Sequence, residues 1–481
     1  MSIAASTSAE SAAPVRPELS VRVAIALAFA DASVAVLALP QIVVRLHTSI
    51  SHVTWVITAY NVALIASTLL VLPVAARLAR REWLVGGLAL FGLASLGSGA
   101  AGDLTVLIVF RCLQGVGGAV LLCSSLPMFA RGIHRDGRVL HSWATTAAFG
   151  AGAGPAIGGL LTQVFDWRAI FFAQAPVAAA AALAALRTRH PGEAAAGSTA
   201  DEWPDLAPPS GTRGVSAPLA NAALLLISAG LIGALFLSTV LLINVWQVSP
   251  LGAAAVLLVI PVATVISGEL IRERRPEIGG AAGAVVLAAG LFGLSLISHR
   301  DLVLAVLMLG LCGVGLGLAF PALTHRALDT HGSLVARAAR TVAAREGGLV
   351  LGLVLLTPIL VHQLNVAPRQ AVPVITRTII SGPGSLVDKV RLGAGLIAAD
   401  QRAPQSQLPD LTPAFAAVET GADPATRRQF VALQAQVQAL IVHAVTGAFT
   451  TPLEICALLS LAALIPVGVG WLARRPPRRL A

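Results

Sequence analysis

The stretch "FADASVAVLALPQ" (residues 29–41) places one carboxylate, Asp31, inside a run that is otherwise apolar from about Val21 to Val44. A run of this length can cross a bilayer as a helix, because about 20 apolar residues are sufficient. A carboxylate within a spanning helix costs about 3 kcal/mol or more. Asp31 is therefore predicted to have a partner or a function of its own.

The composition of the whole chain is that of a membrane protein. The 481 residues are 56% hydrophobic and 12% charged, and their mean hydropathy is +0.82. Soluble domains carry about 25% charged residues, which excludes an ordinary globular enzyme. The sequence predicts an all-α polytopic membrane protein. The four cysteines fall in apolar blocks, where neither a disulfide nor a metal site is expected.

Apolar blocks of spanning length recur along nearly the whole chain. The twelve predicted spans are 21–45, 53–76, 83–101, 104–128, 140–164, 168–187, 218–247, 249–270, 277–298, 302–325, 338–363 and 449–472. Between the sixth and seventh spans, residues 188–217 are rich in Pro, Gly and acids and are predicted to form a cytoplasmic linker. The tails 1–20 (disordered) and 474–481 (basic) are predicted to be cytoplasmic as well.

An internal repeat supports a division into two halves, 21–187 and 218–473. The stretch "LQGVGGA" (113–119) resembles "LCGVGLG" (311–317), at an offset of 198 residues. The same offset pairs Gly150 with Gly348 and Gly154 with Gly352. Two matches in one register predict two pseudo-symmetric six-helix bundles.

The distribution of arginine predicts the orientation of the chain. With the N-terminus inside, the short inner segments and tails hold 21 arginines and the short outer loops hold 3. Cytoplasmic loops are enriched in arginine, so both termini are predicted to be cytoplasmic, in the plasma (inner) membrane. The basic residues then line the cytoplasmic face beside the lipid bilayer, and no nucleic-acid partner is expected.

Residues 364–440 are predicted to lie outside as an external helical hairpin. One helix is expected over 384–400, with Ser385 as a candidate cap, and one over 423–445, with Asp423 as N-cap and Pro424 in the first turn. The second helix carries an apolar stripe, namely Phe430, Leu433, Val437, Leu440 and Ile441. The stripe is expected to contact the outer mouth of the bundle, as a cap or as a portal for an apolar molecule.

Four stretches carry a family resemblance. They are "DASVAVLALP" (31–40), "TWVITAY" (54–60), "RCLQGVGGA" (111–119), and "GAGAGPAIGG" (150–159) followed by "DWRAIFF" (166–172). Their order and spacing resemble the major facilitator superfamily, close to its drug:proton antiporter (multidrug efflux) branch, which usually has fourteen spans. The loop "AARLARREWLVGG" (75–87) departs from the family pattern, because Arg80 stands near the place of an acid.

The resemblance implies the major facilitator fold and proton-coupled export of hydrophobic or amphipathic small molecules by alternating access. It implies a monomer without a cofactor, because the proton gradient supplies the energy. It also implies that one group of motif residues limits leak or shapes the spans, although helix packing alone also explains them. These residues are Gln114, Gly115, Gly150, Gly154, Pro155, Gly158 and Gly159.

Three ionisable residues within the spans are the candidates for proton coupling. Asp31 is interpreted as a proton-binding group, or else as a carboxylate that packs helices. Arg111 requires a carboxylate or backbone carbonyls, as a structural clamp or as part of a proton relay. Glu346, which follows Arg345 in the eleventh span, is the second candidate for coupling.

Two other functions remain open at this stage. A polar metabolite transporter would need more polar clusters within the spans than the sequence offers. A receptor or scaffold that does not transport would fit the altered loop at 75–87. An enzyme is not expected, because the sequence contains no nucleophile elbow, metal-ligand cluster or phosphate loop, and no catalytic residue is assigned.

Overall fold

In the computed structural model, the described residues are 17–70, 81–132, 138–187, 216–271, 276–328, 334–402, 409–420 and 423–472. Arg80, the linker residues 188–215, residues 1–16 and the tail 474–481 lie outside these ranges. The first helix begins at Pro17, a few residues inside the predicted tail.

Every regular element in these ranges is helical. The first half holds α1 (Pro17–Arg45), α2 (Ile50–Val53), α3 (Trp55–Leu70), α4 (Arg81–Ala100), α5 (Leu104–Gly132), α6 (Arg138–Val164) and α7 (Arg168–Arg187). The second half begins with α8 (Ala217–Val240) and one π-helical turn (Leu241–Val245), followed by α9 (Pro250–Leu257), α10 (Val259–Ile271), α11 (Pro276–Ser295) and α12 (Leu302–Leu328). It continues with α13 (Leu334–Ser381), α14 (Leu386–Arg402), α15 (Thr412–Glu419), α16 (Pro424–Gly447), α17 (Thr450–Ala462) and α18 (Leu464–Leu472).

The helices match the predicted spans closely. Within the described residues, 11 helical stretches are long and apolar enough to cross a membrane, and each coincides with a predicted block. The remaining predicted block, 140–164, is the helix α6 of 27 residues. The fold is therefore that of an all-α polytopic membrane protein.

The two halves repeat the same close helix contacts. A methyl group placed on Gly154 of α6 would lie 3.0 Å from the carbonyl oxygen of Ala30 on α1. A methyl group on Gly352 of α13 would lie 3.1 Å from the carbonyl oxygen of Ala229 on α8. Small residues at such positions allow two helix backbones to approach closely. The contact of α1 with α6 is therefore reproduced by α8 with α13.

The second repeated contact involves the other pair of matched motifs. Gly117 on α5 packs against the backbone of Phe91 on α4, and Gly315 on α12 packs against the backbone of Leu287 on α11. Gly117 and Gly315 are separated by the same offset that relates the two motifs in the sequence. The pseudo-symmetry predicted from the repeat is thus built into the packing of the helices.

The halves meet along α13, which packs against α3 and α5 of the first half. Tyr60 and Leu64 of α3 belong to the same buried apolar cluster as Ala338 and Val342 of α13. We call this contact the α3/α13 seam. A second contact between the halves lies between α6 and the helices α9, α10 and α12.

Helix α13 does not end near residue 363 as predicted. It runs unbroken for 48 residues to Ser381, about 70 Å at 1.5 Å per residue. The hydrocarbon core of a bilayer is only about 30 Å thick. Pro368 and Pro373 predict a helix end, since proline removes a backbone donor. Packing of this region against α16 outweighs that loss.

The segment 364–440 is a four-part structure rather than a two-helix hairpin. The end of α13 joins α14, α15 and α16 around a small apolar core of its own, the α13–α16 cluster. Its buried side chains are Ile379, Leu392, Leu411, Ala414, Phe415, Val418, Phe430, Leu433 and Val437. The predicted helices α14 and α16 are confirmed, and Asp423 caps α16 with Pro424 in the first turn.

The prediction that the whole apolar stripe contacts the mouth of the bundle is wrong. Phe430, Leu433 and Val437 are buried inside the α13–α16 cluster, because the unpredicted helix α15 and the end of α13 cover them. Contact with the bundle is made at the end of α16. There Thr446 accepts a hydrogen bond of 3.1 Å from the indole of Trp246, and the ring of His443 lies 2.7 Å from the carbonyl oxygen of Ser298.

Candidate functional site

Asp31 lies at the centre of a buried polar network. It stands near the middle of α1, and its side chain is completely buried. Its Oδ2 atom lies 2.6 Å from a terminal nitrogen of Arg111 on α5. Charges in a low-dielectric interior are stable only when they are paired and hydrogen-bonded. Asp31 thus has the partner that its position requires.

Arg111 is held on several sides. Its Nε donates a hydrogen bond of 2.8 Å to the carbonyl oxygen of Val56, and one terminal nitrogen donates at 2.8 Å to Oε1 of Gln114. The guanidinium lies 4.5 Å from the ring centre of Tyr60 and 5.5 Å from that of Phe171. Aromatic faces stabilise a cation that has lost its water. The carbonyl and carboxylate partners required by the sequence are both present.

Two glutamines and a serine complete the network. Gln114 donates from Nε2 to Oδ1 of Asp31 at 3.0 Å, and Gln174 of α7 donates to the same oxygen at 2.9 Å. The hydroxyl of Ser95 on α4 donates to Oε1 of Gln174 at 3.0 Å. Three helices, α1, α5 and α7, therefore meet at one carboxylate, and α4 joins the network through Ser95. Gln174 and Ser95 were missed by the sequence analysis, although a lone glutamine in the apolar run of α7 was a usable signal.

Glu346 lies at the α3/α13 seam and is not part of this network. It is 4% exposed, and the guanidinium of its neighbour Arg345 lies within electrostatic range of its carboxyl. It lies within electrostatic range of Asp31 and Tyr60. Its neighbour Arg345 extends toward aromatic rings on both halves of the molecule. The structure thus brings Asp31, Arg111 and Glu346 near one another. Asp31 and Arg111 lie in the polar network, and Glu346 lies at the α3/α13 seam.

The motif glycines are packing positions in this structure. Gly150, Gly154 and Gly158 face α1, on one side of α6, as their spacing predicts. Gly159 faces the second half, where a methyl group would lie 2.8 Å from the carbonyl oxygen of Pro250. The buried Pro155 lies within the same helix. A role in limiting leak remains a prediction.

Gly115, the motif glycine on α5, lies next to the network. A methyl group there would meet the backbone of α3 at the carbonyl of Tyr60. The absence of a side chain lets α5 approach α3 closely enough for Arg111 to reach the carbonyl of Val56.

Two similar halves of membrane-spanning helices, with buried charges next to the seam between them, are the architecture on which many secondary transporters are built. The chain belongs to the Major Facilitator Superfamily, whose sequence profile matches residues 23–356.

Relatives with resistance functions match part of this chain. The tetracenomycin C resistance and export protein of Streptomyces glaucescens is 33% identical over 171 residues, which are 35% of this chain and 32% of that protein. The puromycin resistance protein pur8 of Streptomyces alboniger is 38% identical over 157 residues, covering 32% of this chain and 31% of that protein. The chain thus matches about a third of the length of these curated relatives.

Solved structures extend the fold to the whole chain. A bacterial homologue of the human lysosomal transporter Spinster, in an inward-facing and unoccupied conformation, has a TM-score of 0.62 at 15% identity. The match covers 97% of this chain and 100% of that one. The xylose transporter XylE of E. coli gives a TM-score of 0.54 at 12% identity, over 70% of this chain and 90% of that one. The fold is that of the major facilitator transporters.

Proposed function

We propose that this protein is a proton-coupled exporter of hydrophobic or amphipathic small molecules, and that it works by alternating access. The observation that carries the proposal is the buried pair of Asp31 and Arg111 within a network of neutral hydrogen-bonding side chains. The names of the relatives, which refer to resistance and export, support the direction of transport. We infer a monomer in the plasma (inner) membrane, with both termini in the cytoplasm.

The chemistry of the pair explains how a proton could drive a conformational change. Ionised Asp31 neutralises Arg111 across 2.6 Å. A proton that binds Asp31 removes this attraction and leaves the guanidinium held by the carbonyl of Val56 and by Gln114. The two protonation states therefore hold α1 and α5 together with different strength. A transporter that alternates between two conformations can be biased in this way.

Glu346 is the proposed second coupling group. Its carboxyl is buried beside the cation of Arg345, and a buried carboxylate is disfavoured unless a cation or a proton compensates it. It belongs to α13 of the second half, whereas Asp31 belongs to α1 of the first half. A rearrangement of the seam would change the surroundings of both acids, which is the property that a coupling pair requires.

The test is transport of amphipathic dyes and antibiotics in everted membrane vesicles with an imposed proton gradient. We expect Asp31→Asn to insert and fold but to lose gradient-driven transport to the level of empty vesicles. Asparagine has the size of aspartate and can accept one hydrogen bond, but it cannot bind and release a proton.

Asp103→Asn provides the matched control. Asp103 accepts a hydrogen bond of 2.9 Å from the backbone of Val106 at the start of α5, and asparagine keeps that acceptor. Its transport should equal that of the wild type. Normal transport by Asp31→Asn across about pH 6 to 8 would contradict the role of Asp31. A wild-type chain that binds the compounds but moves none would favour the receptor or scaffold function.

A further inference from the structure

The hydrogen bonds around Asp31 fit only its ionised form. Oδ2 faces Arg111, and Oδ1 accepts from Gln114 at 3.0 Å and from Gln174 at 2.9 Å. All of these partners are donors. A protonated Asp31 would carry an O–H group, which needs an acceptor. A site that binds and releases a proton must therefore offer a second arrangement of its hydrogen bonds.

Of the two amides, only Gln174 is free to supply that acceptor. Gln114 is fixed, because its Oε1 accepts the bond of 2.8 Å from the charged Arg111. The Oε1 of Gln174 is held only by neutral groups, namely the hydroxyl of Ser95 at 3.0 Å and Nε2 of Gln114 at 2.7 Å. Neutral hydrogen bonds are weaker than those to charged groups.

We propose that Gln174 is a positioning residue whose side-chain amide turns over when Asp31 changes its protonation state. In the ionised state Nε2 donates to Oδ1, as in this structure. When a proton binds Oδ1, the amide turns and Oε1 accepts the new O–H. The only covalent change is the new O–H bond at Oδ1 of Asp31, which is formed by the incoming proton. This inference rests on the proposed function, in which Asp31 exchanges a proton.

Ser95 is suited to both orientations of the amide. Its hydroxyl donates to Oε1 of Gln174 here and can instead accept from Nε2 after the turn. In this structure, Nε2 of Gln114 also has more hydrogen-bond acceptors around it than it has hydrogens. That nitrogen has two hydrogens but three acceptors, Ser95 at 2.7 Å, Gln174 at 2.7 Å and Asp31 at 3.0 Å. Turning the amide of Gln174 replaces one of these acceptors with a donor, so Nε2 of Gln114 must then move away from Gln174 and donate to Ser95 and Asp31 only.

The charged or titratable groups near Asp31 come from three helices. Arg111 faces it from α5, Tyr60 from α3, and Glu346 from α13. Helices α4 and α7 contribute the neutral Ser95 and Gln174. The other helices that pack on α1 carry titratable side chains only near their ends, as in His52 of α2 and Arg138 and His141 of α6, or none, as in α8. Replacing Gln174 with a neutral residue therefore changes hydrogen bonding and no charge.

The test is infrared titration of the purified full-length protein. The carboxyl band of protonated Asp31 is identified by its loss in Asp31→Asn. In Gln174→Leu the ionised carboxylate loses a donor and the protonated form loses an acceptor. Because the bond to the charged form is the stronger one, we expect Asp31 to bind its proton at a pH higher by about one unit, a tenfold change in proton affinity.

Variants of Ser95 provide the matched comparison. Ser95→Ala removes the adaptable hydroxyl and should shift the titration in the same direction by a smaller amount, whereas Ser95→Thr should titrate as the wild type does. If Gln174→Leu does not fold, the comparison of Ser95→Ala with Ser95→Thr tests the proposal instead. An unchanged titration midpoint in folded Gln174→Leu, or in Ser95→Ala, would overturn the proposal.

Transport measured on the same variants separates this inference from the proposed function. A parallel shift of the infrared midpoint and of the pH profile of transport supports both. A shifted infrared midpoint with an unchanged transport profile would contradict proton coupling through Asp31 and leave the role of Gln174 intact. A shifted transport profile with an unchanged infrared midpoint would refute the role of Gln174.

Discussion

Arg345 is a single residue that contacts both halves of the molecule. Its guanidinium lies 4.2 Å from the ring centre of Phe29 on α1 and 5.0 Å from that of Phe320 on α12. Such a contact contributes about 1–2 kcal/mol when water is excluded. Phe29 belongs to the first half, and Phe320 belongs to the same half as Arg345. Only the contact with Phe29 is therefore broken when the halves separate at this point.

We expect Phe29→Leu to open the α3/α13 seam more often. Loss of about 1–2 kcal/mol corresponds to a roughly 5- to 30-fold larger open population. A cysteine introduced by Val342→Cys, which is buried in the seam, should then react with a maleimide faster by a similar factor. The measurement is the labelling rate in everted vesicles, with the native cysteines replaced.

Phe320→Leu is the control for this experiment, because it removes a ring of similar size without breaking a contact between the halves. Its labelling rate should stay closer to that of the unmodified background. Equal rates for Phe29→Leu and the background would show that the stacking of Arg345 does not hold the seam closed.

The charges of the site and Gln114 were named from the sequence, but Gln174 and Ser95 were not found. Asp31 and Arg111 each stand in an apolar run, so each requires a partner, although the two were not paired from the sequence. Gln174 is 143 residues away from Asp31 in the chain. A neutral amide makes no comparable demand, because it is tolerated inside a membrane at lower cost. Its position depends on tertiary packing that a single sequence does not contain.

Among the helices, those of the α13–α16 cluster show which helix boundaries local sequence signals predict and which they do not. Helix α16 was predicted because Asp423, Pro424 and a regular apolar stripe all indicate its start and its face. The end of α13 was missed because the predicted span followed the apolar block, which ends near residue 363, whereas the helix continues to Ser381. Helix α15 was missed because its 8 residues are too few for a periodic pattern. Tertiary packing overrides local propensity in both places.

The cap of α16 should control the stability of its first turns in a pH-dependent way. Asp423 accepts hydrogen bonds from the side chain and backbone of Thr426 and from the backbone of Ala425, and these bonds lower the pKa of its carboxyl. A pKa that is lower in the folded state gives stability that is present above the unfolded pKa. That stability is lost as the pH falls through the lowered value.

We therefore expect Asp423→Ala to speed hydrogen exchange of the amides over 425–430 at neutral pH. Asp423→Asn should retain most of the protection, because asparagine is also a good N-cap. Wild-type exchange, corrected for its intrinsic pH dependence, should approach that of Asp423→Ala in acid. Identical protection in wild type and Asp423→Ala at neutral pH would contradict a capping role.

For the molecule as a whole, the repeated helix packing of the two halves could be predicted from the sequence, because glycines recur at a fixed offset. A glycine that admits a neighbouring backbone in one half predicts the same approach in the other half. The contact between the two halves could not be predicted in the same way. It depends on which side chains of α3 and α13 face each other, and the repeat alone does not specify that.

The orientation of the whole chain in the membrane remains a prediction. The motivation is the excess of 21 arginines over 3 between the two sides. Reporter fusions after Arg189 and after Gln401 should report opposite sides, inside for the first and outside for the second. The same side for both would contradict the predicted five spans between the segment 188–217 and Gln401.

The unbroken course of α13 makes this helix a lever. From Glu346 at the seam to Ser381 at its end it extends about 50 Å at 1.5 Å per residue, and α16 braces its outer part. A tilt of about 10° around the level of Glu346 would move the far end by about 9 Å. In the proposed alternating-access mechanism, a movement that is small at Glu346 would therefore be larger at the α13–α16 cluster. A pair of dyes, one on this cluster and one on the first half, would let single transport cycles be watched as changes in distance.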